Sequence, residues 1–257
     1  MKLTGNTILI TGGGSGIGRG LAEAFHKLGN TVIIAGRRQQ ALDEVTAANP
    51  GMKSVRLDVD DAESIRSVMA QVIRDFPALN VLVNNAGIMQ TESVRALPEM
   101  LDVAEATIMT NLLGPIRLTN AALAHFHGQA QADPQARAAV LNVTSGLAYV
   151  PRADTATYSA TKAALHSYSQ SLGALLRGTS TQVIELIPPL VATELTPRQS
   201  ANPHALPLSE YVSETMRLLA EHPESSEIVI EQVEFLRYAE RENRHEAAFD
   251  MINRLNG

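Results

Sequence analysis

Short runs of β-branched and apolar residues alternate with longer stretches of helical periodicity along most of the chain, and this alternation constrains the fold more than any other feature. It is typical of β-α-β units, whose strands run parallel and are covered by helices on both faces. The sequence therefore predicts one α/β domain over residues 1–257, doubly wound around a mostly parallel seven-stranded sheet. The predicted strands are 7–11, 31–36, 53–57, 81–85, 138–145, 182–187 and 227–231.

Helical periodicity predicts the elements between these strands. The first helix carries Ile17, Leu21 and Phe25 on one face and ends at Gly29. Residues 188–208 contain five prolines and no periodic pattern, and a loop of that length in a compact domain is usually functional. Further helices are predicted at about 38–48, 61–75, 98–127, 155–177, 209–221 and, at the C-terminal end, 232–255.

Composition excludes several classes of function. A net charge of −6 argues against a nucleic-acid partner, which would favour a basic chain. The sequence has no cysteine, so disulfides, thiolate catalysis and cysteine-bound zinc are excluded. The histidines show no metal-ligand spacing, and no apolar run approaches the ~20 residues that cross a bilayer. We expect a soluble cytoplasmic protein that binds neither metal nor membrane.

The first predicted strand leads into a glycine-rich turn and then into the first predicted helix. Glycines permit positive φ and close approach of a ligand to the backbone, while a helix N-terminus offers free N–H groups that suit a pyrophosphate. Gly12, Gly16 and Gly18 have the spacing TG-x-x-x-G-x-G instead of the more familiar G-x-G-x-x-G. The order of strand, turn and helix predicts a Rossmann-type dinucleotide site, although a tight turn without a ligand is the alternative.

Four more motifs follow in order: "LDV", "NNAG", "TNLLG" and, thirteen residues after Ser145, "YSATK". Together with the glycine spacing they resemble the short-chain dehydrogenase/reductase family, in its short single-domain branch, over essentially the whole chain. The resemblance implies an NAD(P)-dependent oxidoreductase that interconverts a ketone or aldehyde and an alcohol by hydride transfer. It implies cofactor contacts at Gly12, Gly16, Ile17, Gly18, Asp58, Val59, Asn85, Ala86, Gly87, Tyr158, Lys162, Pro188, Val191 and Thr193.

Tyr158 and Lys162 would be neighbours one turn apart on a helix. A cation at that distance favours the phenolate, so we expect Lys162 to lower the pKa of Tyr158 from its ordinary value of about 10 and Tyr158 to act as general acid and base. By resemblance, Ser145 hydrogen-bonds the substrate oxygen, Lys162 also holds the nicotinamide ribose, and Asn111 interrupts a helix and positions a proton-relay water. The predicted catalytic residues are Asn111, Ser145, Tyr158 and Lys162.

Two other functions share this fold. A non-catalytic dinucleotide sensor would typically lack the tyrosine or the lysine, and this chain has both. A nucleotide-sugar epimerase or dehydratase of the extended branch would be longer and would have another glycine spacing. The case against both alternatives rests partly on analogy with the family.

Two departures from the family pattern point to a narrower branch. Pro188-Pro189 stands where the family usually has Pro-Gly, and "EQVEFLRYAERENR" replaces the usual diglycine after the last strand. Both are most like the DltE-like oxidoreductases. This region commonly forms an interface in the family, so the altered tail puts the usual tetramer in doubt. A homodimer and a homotetramer are both open.

The cofactor preference is expected to depend on the end of the second predicted strand. An NAD-selective enzyme usually has an acid there, which binds the ribose 2′-OH. This chain has Gly36 followed by Arg37 and Arg38. A guanidinium matches a phosphate in charge and geometry, so the sequence predicts NADP(H) over NAD(H), with Arg37 as the main contact, Arg38 less certain and Ser15 as a further donor. Both arginines could instead be surface residues of an enzyme that accepts either cofactor.

The substrate pocket is expected between residues 88–97, 147–154 and the loop 188–208. Its predicted walls are mostly apolar, with Leu190, Leu195 and Leu206 in the loop. The sequence therefore predicts a carbonyl or alcohol of moderate size and some apolar character. Three arginines could each reach into this pocket, namely Arg95, Arg152 and Arg198.

Overall fold

The computed structural model describes residues 1–93 and 97–254, and seven strands among them form one sheet. Its order is β3-β2-β1-β4-β5-β6-β7, and every pair of neighbouring strands is parallel. The predicted fold class is confirmed, and each predicted strand end lies within two residues of the observed one. The strands are β1 Thr7–Thr11, β2 Thr31–Gly36, β3 Lys53–Arg56, β4 Leu79–Asn84, β5 Ala138–Val143, β6 Thr181–Ile187 and β7 Glu227–Val229.

Helices cover both faces of the sheet. Two buried clusters hold the layers together, one around Phe25 and the other around Phe126. The first cluster joins the sheet to α1, α2 and α7, and the second joins it to α3 and α5. The helices are α1 Gly16–Lys27, α2 Gln39–Ala48, α3 Ala62–Asp75, α4 Leu97–Ile108, α5 Gly114–Ala132, α6 Ala156–Leu175, α7 Leu208–Glu221, α8 Glu231–Arg237 and α9 His245–Arg254.

The strand order reverses between β1 and β4, which are hydrogen-bonded neighbours in the centre of the sheet. The chain turns to opposite faces on either side of such a point, so a crevice opens beyond the carboxyl ends of the strands. The glycine-rich turn after β1 and the loop after β4 meet there. The topology thus places both predicted cofactor loops at one edge of the sheet.

The prediction of one unbroken helix over 98–127 is wrong, whereas the interruption at Asn111 that the resemblance implied is present. A π-helical segment, Met109–Leu113, separates α4 from α5. Asn111 lies in that segment, and its side chain hydrogen-bonds the backbone of Ile88 in the loop after β4. A π segment accommodates one extra residue per turn, and this one turns the Asn111 side chain toward the loop.

The prediction of one C-terminal helix over 232–255 is also wrong. The chain forms α8 and α9 with a turn between them, and residue 255 lies outside the described residues. Asn243 adopts a left-handed φ of 56° in the turn, a conformation that asparagine tolerates better than most residues. Ala239 and Ala248 are fully buried against Val150. The tail therefore folds back over the loop that follows β5.

The loop 188–208 is held by its own hydrogen bonds. Ala192 N donates to Leu206 O at 2.8 Å, and Leu206 N donates to Leu190 O at 2.8 Å. The buried Gln199 side chain donates to Val191 O at 2.8 Å and to Thr193 Oγ1 at 3.2 Å. These contacts place Thr193 beside the glycine-rich turn. A Cβ added at Gly16 would lie 3.5 Å from the Thr193 side chain.

Candidate active site

A cleft of about 430 Å³ lies at the carboxyl ends of the strands, within the size range of small-molecule and cofactor sites. One end is formed by the glycine-rich turn, and the other by the ends of β5 and α6. Most of the predicted site residues line it, namely Gly12, Ser15, Gly16, Ile17, Arg37, Val59, Asn85, Ala86, Gly87, Ser145, Tyr158, Lys162, Pro188, Val191 and Thr193.

The glycine-rich turn and the start of α1 have no room for side chains at Gly12, Gly13 and Gly18. Gly12 has a φ of +68°, and a Cβ there would lie 2.8 Å from Asn85 Nδ2. A Cβ at Gly18 would lie 2.4 Å from Gly12 O. Gly18 therefore lies behind the cleft wall and packs helix α1 against the turn, while Gly12 exposes its backbone to the cleft.

Asn85 and Thr11 join this turn to the loop after β4. Asn85 Nδ2 donates to Thr11 O at 2.9 Å, and the backbone N–H groups of Asn85 and Ala86 both donate to Thr11 Oγ1 at 3.0 Å. The carboxyl ends of β1 and β4 are thus cross-linked. This arrangement fits a dinucleotide, since the N-terminus of α1 faces the cleft beyond a cradle that only glycine can form.

Asp58 lies behind Val59 in the turn after β3. The carboxylate of Asp58 accepts a hydrogen bond from Asp60 N at 3.1 Å, and the backbone N–H of Asp58 donates to Ser64 Oγ at 3.1 Å. These contacts shape the loop, and Val59, 6% exposed, presents the apolar surface to the cleft. The predicted contact of Asp58 with adenine stays a prediction.

Both arginines after β2 line the cleft, in different ways. Arg37 Nη1 lies 3.6 Å from Asp60 Oδ2, and its side chain is 56% exposed. Arg38 Nη2 donates to Ser15 Oγ at 3.1 Å, which places its guanidinium over the glycine-rich turn. Arg38 therefore lies beside Ser15, the residue that the sequence predicted as a further donor to the cofactor.

Ser145 and Tyr158 meet at the other end of the cleft. Ser145 lies two residues beyond β5 and is 8% exposed, and its Oγ accepts a hydrogen bond from Leu147 N at 3.1 Å. Burial raises the pKa of Tyr158 to about 12, and a hydrogen bond with Ser145 lowers it only in part. This direction is opposite to the one expected from the sequence.

Lys162 is buried beside Tyr158. Its Nζ donates to Val143 O at 2.8 Å and lies 5.5 Å from the centroid of the Tyr158 ring. Burial also lowers the pKa of Lys162, to about 8. The spacing correctly predicted that the two side chains are neighbours, but burial of both groups opposes charge on either of them.

Asn111 is fully buried behind the cleft wall. Its Oδ1 accepts from Ile88 N at 2.8 Å, and its Nδ2 donates to Ile88 O at 2.8 Å and to Thr161 Oγ1 at 3.3 Å. The amide thus joins the loop after β4 to the helix that carries Tyr158. Its predicted role in positioning a water stays a prediction.

The expected substrate walls are only partly as predicted. The Tyr149 hydroxyl points away from the cleft and donates to the buried Glu185 at 3.0 Å. Arg152 is paired with Asp154 through two of its guanidinium nitrogens, Nε and Nη2. Ile88, Pro189 and Leu195 line the cleft. Arg95 lies outside the described residues.

Sequence reasoning missed several polar residues of the site. Thr110, Thr144, Glu194 and Gln199 also line the cleft, and Glu185 lies buried behind it. A carboxylate inside the apolar run "QVIELI" is the one signal that could have been noticed, because buried charges need partners. Thr144, Glu194 and Gln199 belong to loops, where no periodicity indicates which way a side chain faces, and Thr110 lies in the π-helical segment.

Two further observations concern classes of site. Within residues 1–93 and 97–254, no helix is both long and apolar enough to cross a bilayer. Over the same residues, no group of three or more histidine, aspartate or glutamate side chains is arranged to hold a metal ion.

Comparison with known proteins gives consistent matches. A family model described as short chain dehydrogenase matches residues 6–204. An uncharacterized oxidoreductase, DltE, of Bacillus subtilis is 38% identical, with 98% of each chain covered. An NADP-dependent 3-hydroxy acid dehydrogenase of Schizosaccharomyces pombe is 33% identical over 76% of this chain and 75% of its own. The crystal structure of a short-chain dehydrogenase from Streptomyces avermitilis superposes with a TM-score of 0.79 at 27% identity, covering 96% of this chain and 97% of that one.

Proposed function

This chain belongs to the short-chain dehydrogenase family of oxidoreductases, and on that premise we propose that it interconverts a ketone or aldehyde and the corresponding alcohol with NADP(H). The resemblance to DltE-like oxidoreductases is confirmed. One observation carries the proposal. Ser145, Tyr158 and Lys162 converge at one end of a cleft whose other end is a glycine-rich turn at a helix N-terminus.

A bound nicotinamide supplies or accepts the hydride, and the residues of this chain manage the oxygen and its proton. With a pKa of about 12, Tyr158 carries its proton at neutral pH and can donate it to a carbonyl oxygen that gains charge. Ser145, hydrogen-bonded to Tyr158, stabilises the same oxygen. Lys162 lies between Tyr158 and the backbone of β5, within reach of a ribose in the cleft.

The end of β2 supports a preference for NADP(H). No acid follows the strand to repel a 2′-phosphate, and the two guanidinium groups together with the Ser15 hydroxyl offer donors to it. The yeast relative that is 33% identical is named as NADP-dependent. NAD(H) remains a second cofactor, since a lone exposed charge contact contributes about 1 kcal/mol or less.

The walls of the cleft support a substrate of moderate size and some apolar character. Ile88, Pro189 and Leu195 face it, while the nearby Arg152 is neutralised by Asp154. A carboxylate or phosphate on the substrate would therefore find no unpaired guanidinium at Arg152. We propose simple ketones, aldehydes and secondary alcohols as the substrate class.

An oxidoreduction screen tests the function. Ketones, aldehydes and alcohols are offered with NADPH, NADH and their oxidised forms, and absorbance at the nicotinamide band is followed. We expect carbonyl-dependent oxidation of NADPH. Tight cofactor binding with no turnover on any carbonyl would favour a sensor, and activity confined to sugar nucleotides would contradict the substrate class.

We also propose that the chain assembles as a homodimer or homotetramer. Leu101 and Ile108 on α4 are 62% and 43% exposed, and Leu175 at the end of α6 is 77% exposed. Apolar side chains exposed on neighbouring helices suit burial against a second copy. Sedimentation velocity measures the state directly, and a monomer at micromolar concentration would contradict the proposal.

A further inference from the structure

A buried cluster of polar side chains lies directly behind the catalytic end of the cleft. Its centre is Glu185 in the middle of β6, which is 2% exposed. Thr144 Oγ1 donates to Glu185 Oε1 at 2.6 Å, the Tyr149 hydroxyl donates to the same oxygen at 3.0 Å, and His166 Nδ1 lies 2.7 Å from Oε2. Both carboxylate oxygens are thus engaged. A carboxylate at this depth is costly unless it serves a partner.

The cluster is connected to the catalytic residues from two sides. Lys162 Nζ donates to Val143 O at 2.8 Å, and the next residue, Thr144, donates to Glu185. On helix α6, Tyr158, Lys162 and His166 follow each other at intervals of four and share one face. Glu185 thus hydrogen-bonds Thr144, which follows the backbone acceptor of Lys162, and it also contacts His166, which lies one turn beyond Lys162 on α6.

Lys162 needs a compensating charge. It is 5% exposed, and among the described residues no carboxylate lies within 4.0 Å of its amine. A buried ammonium without a negative group nearby loses its proton readily. Glu185 supplies such a charge, since its Coulomb interaction with Lys162 opposes the effect of burial on the lysine pKa.

We propose that Glu185 is a positioning residue of the active site, whose buried carboxylate keeps the Lys162 ammonium charged and therefore able to hold a ribose and stay beside Tyr158. The effect on catalysis rests on the proposed function, whereas the effect of Glu185 on the charge of Lys162 does not. Without the carboxylate, a larger fraction of Lys162 is a neutral amine at neutral pH. A neutral amine binds a ribose and polarises a phenol less well than an ammonium.

Two other charged or titratable side chains, Arg237 and His166, face the cluster. Arg237 of α8 stacks its guanidinium 4.6 Å from the centroid of the Tyr149 ring. It is paired through two nitrogens with Glu227, the residue that lies beside Glu185 in the β6–β7 register. Arg237 is therefore neutralised by its own partner. His166, 18% exposed at its side chain, is the remaining titratable group in contact with the Glu185 carboxylate.

NMR titration of the lysine side chains tests the proposal without cofactor or substrate. The chain has only four lysines, and Lys2, Lys27 and Lys53 are exposed. With ¹³C-labelled lysine, the Cε shift reports protonation, and Lys162→Arg identifies the signal of Lys162. We expect a pKa of about 8 for Lys162, falling by about one unit in Glu185→Gln, which keeps the shape and removes the charge.

Two matched variants separate charge from packing. His166→Gln breaks the same cluster but keeps the carboxylate, so the pKa of Lys162 should stay or rise. Glu185→Gln combined with His166→Gln lets two amides pair, and it repeats the test if Glu185→Gln alone does not fold. An unchanged Lys162 pKa in folded Glu185→Gln, or an equal fall in His166→Gln, would overturn the proposal. Neither result bears on the oxidoreductase activity, and a failed carbonyl screen does not bear on Lys162.

Discussion

Tyr158 holds its proton because its hydroxyl is buried beside Ser145 and because the nearby lysine points its amine at the backbone of β5. A phenol in this state is prepared to donate, which is what carbonyl reduction requires. In the opposite direction the phenol must first lose its proton, and a positive charge close to it favours that loss. In the proposed mechanism, the charge state of Lys162 therefore affects how easily Tyr158 loses and regains its proton.

Removing the Tyr158 hydroxyl tests its role as acid and base. Tyr158→Phe keeps the buried ring and removes the transferable proton, so we expect kcat to fall at least ~100-fold while NADPH binding is largely kept. Stopped-flow turnover and NADPH fluorescence titration measure the two effects. Tyr168→Phe, on the same helix, removes a half-buried hydroxyl away from the cleft and should leave kcat near its wild-type value. Near-normal carbonyl reduction by Tyr158→Phe would refute the mechanism.

Cofactor preference is a second property of single residues. Arg37→Ala and Arg38→Ala should each lower the NADPH-to-NADH ratio of kcat/KM by about fivefold, the equivalent of ~1 kcal/mol for an exposed charge contact. Gly36→Asp should lower it too, because it restores the acid that repels a 2′-phosphate. A Cβ at Gly36 would lie 3.7 Å from Leu42, so this change fits without a clash.

Arg56→Ala is the matched control for the arginine variants. Arg56 is exposed at the end of the neighbouring strand β3, so its loss changes the net charge equally but should leave the ratio unchanged. A wild-type ratio that favours NADH would contradict the predicted preference. A larger effect at Arg38 than at Arg37 would show that the partner of Ser15 is the main contact.

At the scale of elements, helix α8 packs against the first turn after β5, directly beside Ser145. A Cβ on Gly146 would lie 2.8 Å from Leu236 Cδ1 and 2.8 Å from Val233 Cγ2. Val233 is fully buried and cannot move aside freely. The backbone of Gly146 also donates to Pro188 O at 3.0 Å. The position of Ser145 thus depends on an element far along the chain.

Gly146→Ala should expose this dependence. We expect it to lower the free energy of unfolding by about 1–3 kcal/mol, as overpacking does, and to lower kcat by displacing Ser145. Gly128→Ala is the control, since a Cβ there would meet nothing within 4 Å on the exposed face of α5, and it should add up to about 1 kcal/mol of stability. Denaturant titration compares the two. Equal stability of both variants would show that α8 does not constrain the turn.

Most of the elements could be predicted from the sequence, because buried parallel strands and amphipathic helices carry their periodicity in adjacent residues. The unbroken helices predicted over 98–127 and 232–255 are both interrupted, and the contacts at the breaks are tertiary. Asn111 turns toward Ile88 behind the cleft wall, and Ala239 is buried under Val150. No local periodicity encodes either contact, and only the resemblance pointed to the break at Asn111. The predicted direction of the Tyr158 pKa shift is wrong for a similar reason. Spacing indicates which groups are neighbours, but it does not indicate how much water surrounds them.

On the scale of the whole molecule, one sheet joins the cofactor and catalytic ends of the cleft, and we expect both to unfold together. Heating should give a single transition, and NADPH at one hundred times its Kd should stabilise the folded chain by about 2.7 kcal/mol. That corresponds to a rise in Tm of several degrees for a chain of this length. Calorimetry with NADPH and with the same concentration of NADH measures it. Two separate transitions, or a larger rise with NADH, would contradict the expectation.

The packing of α8 onto Gly146 has a consequence for biosynthesis. A ribosome makes the chain from β1 onward, so the glycine-rich turn and Arg37 emerge long before Val233 and Leu236 do. Until those last side chains arrive, nothing presses on the turn that carries Ser145. We therefore expect the turn that carries Ser145 to reach its final position later in synthesis than the glycine-rich turn does.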